Sequence, residues 1–113
     1  MAYTPIKRTF TITGTGATQW IALSPKPNDY PATISVEVAL GTSASLTYSV
    51  EQAVDNPNFI TSPSLVVHPR LVDETISKAS TIDNPYLAVR INVTAFTAGS
   101  TATTITVNII QVT

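Results

Sequence analysis

The chain has 113 residues, 43% of them hydrophobic and 12% charged, with no cysteine and a formal net charge of −1. That length fits one domain, which buries roughly 60–70% of its unfolded surface around a single core. The composition excludes disulfide staples and thiolate metal sites, and no membrane-spanning apolar run occurs; Lys7-Arg8, the one adjacent basic pair, is too little to neutralise nucleic-acid phosphates.

Residues 1–8 read as an extended N-terminal arm and residues 9–113 as the β domain. Met1-Ala2-Tyr3-Thr4-Pro5 lacks the basic-then-apolar plan of a secretion signal. From 7 to 13, Phe10 and Ile12 alternate with Thr9, Thr11 and Thr13, which describes a strand. Pro5 before it suits a sheet edge, where a missing N–H costs little. Gly14-Thr15-Gly16 is a turn. Residues 19–23 form a short strand with Trp20 and Ala22 on one parity, expected to face the core. Residues 24–31 hold Pro25, Pro27 and Pro31 and form a rigid loop with no ladder.

Residues 33–40 predict a strand with Ile34, Val36, Val38 and Leu40 inward and Ser35 and Glu37 outward. Gly41-Thr42-Ser43 turns the chain, and residues 44–52 return with Leu46, Tyr48 and Val50 on one face. Residues 55–59 are loop. Leu65, Val66 and Val67 suggest a short strand. Residues 71–79 read as strand or loop in preference to helix, because Thr75, Ser77, Ser80 and Thr81 are poor helix formers. From 87 to 96, Leu87, Val89, Ile91 and Val93 alternate with Ala88, Arg90, Asn92 and Thr94. From 103 to 111, Ile105, Val107 and Ile109 alternate with Thr104, Thr106 and Asn108. Two such runs joined by a short Gly-bearing segment predict a β-hairpin. The whole is all-β: a single antiparallel β-sandwich, jelly-roll or Ig-like, with a partly closed barrel as the alternative that strand spacing leaves open. Low charge and many hydroxyls suit strands whose outer faces are polar or partly covered by neighbouring chains.

Few residues carry a chemical signature. His68 is the only histidine and lacks motif-spaced partners, so it reads as structural or surface. Asp73-Glu74 reads as a solvated acidic loop, since adjacent carboxylates diverge and do not flank a glycosidic bond. Gly14-Thr15-Gly16 lacks the Gly-Lys-Ser/Thr that completes a phosphate loop. No Gly-x-Ser-x-Gly elbow occurs. Asn92-Val93-Thr94 is a glycosylation sequon inside a predicted strand. Trp20, Tyr30 and Tyr86 form a conceivable sugar-stacking platform, against which stands the core parity assigned to Trp20. Arg90 lies mid-strand opposite the apolar set. It either pairs across strands, with Glu37 in a comparable position, or contacts a neighbouring subunit. No enzyme, metal or cofactor is expected.

A resemblance adds to this. Tyr48-Ser49-Val50-Glu51 with Asp55 and Pro57, then Asn84-Pro85, Val89-Arg90-Ile91-Asn92-Val93-Thr94, Gly99-Ser100 and Thr104-Ile105-Thr106-Val107 ending at Gln111 resemble small β-sandwich structural proteins of tailed bacteriophages. Those proteins decorate or cement capsids. The resemblance covers about the C-terminal two-thirds. It implies a non-catalytic virion protein on the capsid surface, assembled in the bacterial cytoplasm. The implied partners are the major capsid protein or other virion proteins and further copies of the chain, as a trimer or dimer. Contacts are expected at Tyr3, Pro5, Lys7 and Arg8 of the arm, at Pro25, Pro27 and Tyr30, at Phe59, and at Arg90. The alternatives are a tail, collar or fibre-associated component, or a carbohydrate-binding module.

Overall fold

The computed structural model describes residues 3–23, 32–82 and 86–112, with no account of the side chains of Tyr3, Thr4 and Val112. The Pro-rich loop expected over 24–31 and the Asn84-Pro85 pair lie outside the described residues. Those described form nine strands and no helix: β1 (Tyr3–Ile12), β2 (Gly16–Ala17), β3 (Ile21–Ala22), β4 (Ala32–Ala39), β5 (Ser45–Ala53), β6 (Leu65–Val67), β7 (Lys78–Ile82), β8 (Ala88–Thr97) and β9 (Thr103–Val112).

Two antiparallel sheets result. One runs β1-β9-β4-β7; the other runs β2-β8-β5-β6, with β3 also on β8. With β2 and β3 counted as one interrupted strand, the partners nest. The first strand pairs with the last (β1 with β9), the second with the last but one (β2–β3 with β8), then β4 with β7, and innermost β5 with β6. The chain is one long hairpin wrapped on itself, its tip between Ala53 and Leu65. This eight-strand, two-sheet order is that of a jelly roll, not of the Ig arrangement.

The alternating residues fill the space between the sheets. Ile34 and Val36 of β4 and Ile105, Val107 and Ile109 of β9 face Leu46, Tyr48 and Val50 of β5 and Val89, Ile91 and Val93 of β8, all at most 3% exposed. Each such side chain contributes roughly 1.5–3 kcal/mol through burial. Leu71 and Ile82, and Ile12, Ile21 and Leu23 from the early part of the chain, belong to the same buried cluster.

Four expectations are corrected. First, β8 and β9 are not a hairpin, because they belong to different sheets. Alternation fixes which face a residue takes but not which strand lies alongside. The segment after β8 instead crosses between the sheets beside the β4–β5 crossover. The two crossovers clasp each other: Ser100 N–H donates to Thr42 C=O at 3.0 Å, Thr42 N–H to Thr101 Oγ1 at 2.7 Å, and Gly41 N–H to Thr103 Oγ1 at 2.9 Å. A Cβ on Gly41 would overlap the Thr101 carbonyl oxygen, and one on Gly99 the Thr42 carbonyl oxygen. Glycine is required here for close approach.

Second, residues 3–8 are not a separate arm. They are the first half of β1, with Tyr3 opposite Val112 and Pro5 opposite Ile110. β1 is an edge strand, so Pro5 sits where its missing donor is tolerated. Third, Leu40 is 45% exposed, because it follows the end of β4, where the chain leaves the sheet. Fourth, Ile21 and Leu23 take the core side and Trp20 is only half-buried. The run Trp20-Ile21-Ala22-Leu23 is apolar on both parities, so its phase is not readable from alternation.

Candidate functional site

On the outer face of the second sheet, β5 and β8 set Glu51 opposite Arg90 and Ser49 opposite Asn92. Glu51 is 8% exposed. Its carboxylate accepts from Arg90 Nε at 2.7 Å and from Asn92 Nδ2 at 3.2 Å. The Arg90 guanidinium lies 4.3 Å from the centroid of the Trp20 ring. Arg90 therefore pairs across strands, but with Glu51; Glu37 lies in the other sheet and accepts from Asn108 Nδ2. The Arg90 cation is engaged by an acid and an indole of its own chain, with a quarter of the side chain still exposed. Asn92, the sequon asparagine, is tied into the same cluster.

Beside Trp20 lies a hollow of about 180 Å³ whose rim includes Ala22, Asn56, Pro57, Asn58 and Leu87. It combines an aromatic ring with two amide side chains. A second hollow of about 250 Å³ follows the turn after β1, lined by threonines, glycines and Val93. Neither holds a titratable group.

His68 is structural. It is 1% exposed; its Nδ1 accepts from Arg70 N–H at 3.1 Å, which leaves Nε2 to donate to Thr81 C=O at 2.6 Å. It thereby ties the segment after β6 to β7 in the opposite sheet. Asp73 is exposed and takes a left-handed turn at φ 52, while Glu74 pairs with Lys78 at 2.8 Å. The backbone of Glu74 bridges Tyr48, whose hydroxyl donates to Ile76 C=O at 2.8 Å. Burial, followed by the nearby Glu74 charge, pushes the Tyr48 hydroxyl up to about 12. No group of three metal-ligating side chains occurs among the described residues.

The remaining expected contact residues that are described lie on different elements. Pro5, Lys7 and Arg8 are exposed along β1; the backbone of Tyr3 lies in the same strand. Pro25, Pro27 and Tyr30 lie outside the described residues. Phe59, 83% exposed, sits on the turn held by Asn56 C=O, which accepts from Phe59 and Ile60 N–H. Near that turn stands an exposed apolar surface of which the sequence marks only Leu65, Val66 and Val67; with Val54 and Ile60 they are each 38–51% exposed. Comparison of the chain with protein-family models, with curated protein sequences and with solved structures finds no match.

Proposed function

We propose that this protein is a structural component of a phage virion, a decoration or cement protein that binds the assembled head and acts by contact alone. The carrying observation is the nested strand order, since two-sheet jelly rolls recur in viral capsid domains. Fold alone does not assign function. The reading therefore also draws on the surface: exposed Phe59 and Ile60 at the tip of the wrapped hairpin, and the exposed apolar β6, in the manner of contact patches on soluble proteins. Symmetric repetition on a shell multiplies such modest contacts.

The test is co-sedimentation of the purified chain with empty heads of tailed phages and, separately, with isolated tails. Saturable pelleting with heads, weakened by Phe59→Ser, supports decoration. Pelleting with tails alone moves the protein to the tail, and pelleting with neither overturns the virion reading.

A second reading is favoured by one observation. Trp20 is not in the core, and the hollow beside it carries Asn56 and Asn58. Jelly rolls also serve as lectin domains, and an indole flanked by amide groups is a surface on which a sugar ring stacks and hydrogen-bonds. Trp20 is the only tryptophan, so glycan titration followed by its fluorescence tests this reading directly. A saturable shift supports it; an unmoved spectrum across a glycan panel sinks it.

A further inference from the structure

We propose that β6 (Leu65–Val67) is a self-association edge, at which two copies of the chain pair antiparallel about a two-fold axis through Val66. The proposal does not rest on the virion reading.

The register on the inner side fixes what the outer side offers. Val54 N–H donates to Ser64 C=O, and His68 N–H donates to Val50 C=O, both at 2.8 Å. With Gln52 opposite Val66, the residues whose backbone groups point to β5 are therefore 64, 66 and 68. Those of Leu65 and Val67 point away from β5. Among the described residues β6 pairs with β5 alone. Two donors and two acceptors thus stand on an open edge, carried by three consecutive apolar residues that are each 38–43% exposed.

This row is self-complementary. With Val66 opposite its own copy, each Leu65 faces the Val67 of the second copy and exchanges two hydrogen bonds with it, four in all. The next outward-pointing positions on either side are 63 and 69, and both are proline. Neither has an N–H to leave unpaired, and neither lets the ladder extend. Pairing is confined to a short closed window, giving a two-fold dimer and no open-ended fibre.

The other edges are guarded, by the measures usual at sheet edges. β1 carries Pro5, Lys7 and Arg8, β7 carries Lys78, and the β2–β3 edge is interrupted. From 56 to 67 no residue is charged; the Asp55 carboxylate, which accepts from Ser64 N–H at 2.9 Å, stands beside the start of the edge. Exposed apolar side chains between Val54 and Val67 offer on the order of 500 Å², against roughly 800 Å² per partner in a standard interface. The dimer is accordingly of modest affinity and concentration-dependent.

The test uses the full chain. Sedimentation velocity from micromolar to near-millimolar protein is expected to move from 12.0 kDa to twice that mass. Because the chain has no cysteine, Val66→Cys reports the pairing directly. A non-hydrogen-bonded antiparallel pair sets Cα atoms about 4.5 Å apart, within disulfide reach. Mild oxidation should cross-link Val66→Cys rapidly and Ile76→Cys, placed at a residue 66% exposed, no faster than random collision. Val66→Lys and Val66→Glu should each raise the dissociation constant roughly tenfold or more, and mixing the two should restore the dimer. A protein monomeric at all concentrations, a dimer in which Val66→Cys links no faster than Ile76→Cys, or charge variants that dimerise as wild type would each overturn the proposal. Where a charged variant fails to fold, the comparison of Val66→Cys with Ile76→Cys decides the outcome.

Discussion

Replacing Gly99 with alanine tests whether the two crossovers hold the sandwich together. The new Cβ would overlap the Thr42 carbonyl oxygen and lie 2.9 Å from Ala44 N. Both neighbours are backbone, so no side chain can swing aside, and the crossovers must part by about 1.3 Å to reach ordinary contact at 3.4 Å. Overpacking of this kind costs about 1–3 kcal/mol. Parting also weakens the Ser100-to-Thr42 hydrogen bond, worth about 1 kcal/mol net. The expected loss is therefore about 3 kcal/mol. At about 2.1 cal/mol/K of unfolding entropy per residue, that lowers Tm by about 12 °C in a chain of this length. Urea unfolding followed by circular dichroism gives the free energy, and an unchanged m-value shows that two-state behaviour survives. Gly14→Ala is the matched control: nothing lies within 4 Å of its added Cβ and its φ is unremarkable, so it should be neutral or stabilise by about 0.4–1 kcal/mol. If Gly99→Ala unfolds within about 0.5 kcal/mol of wild type, the clasp contributes little and the reasoning fails.

Three further outcomes are expected. Burial raises the Tyr48 hydroxyl to about 12 from an ordinary 10.0, so the unfolded chain releases this proton first. The associated stability is complete below pH 10 and is lost as pH rises toward 12, on the order of 2 kcal/mol. Urea midpoints of wild type and Tyr48→Phe measured from pH 8 to 12 should converge as pH rises, and parallel curves would refute the assignment. Arg90→Ala leaves the Glu51 carboxylate, 8% exposed, without its cation and uncovers the Trp20 ring. A loss of about 2 kcal/mol and a shift of tryptophan emission are expected, with Glu51→Gln in the same chain recovering part of the loss in a double-mutant cycle. His68→Ala empties a fully enclosed site and removes the acceptor of Arg70 N–H; about 3 kcal/mol should be lost in chemical denaturation.

Much of the fold was legible because alternation is a local signal. The inward sets Ile34–Val36, Leu46–Val50, Val89–Val93 and Ile105–Ile109 follow directly from period-two patterning, and the Leu65–Val67 strand follows from its short apolar run. Partnership was not legible. β8 and β9 satisfy every local condition for a hairpin, yet each pairs with strands far away in sequence. The sign of the true connection was the steric demand on Gly41 and Gly99, which appears only once the crossovers meet. Alternation does not place Trp20, because both parities of its short run are apolar and a two-residue strand has too few positions to break the tie. The Arg90 pairing was half legible: its outward face followed from its neighbours, but choosing Glu51 over Glu37 required knowing which sheet each occupies. The open edge of β6 was visible as apolar residues, but its hydrogen-bonding phase depends on register with β5.

The nested pairing has a practical consequence for rearranging the chain. Tyr3 and Val112 are register partners, so the two ends of the paired sequence lie about 5 Å apart across one ladder. A linker of a few residues can join them, and the exposed tip between Ala53 and Leu65 offers a place to cut. Such a circular permutant would keep every strand pair while reversing the nesting: β5 and β6, now innermost, would become the outermost pair, and β1 and β9 the innermost. In the permutant, β6 supplies the first strand and β5 the last, so cargo fused at either terminus would project from the Phe59 end of the molecule.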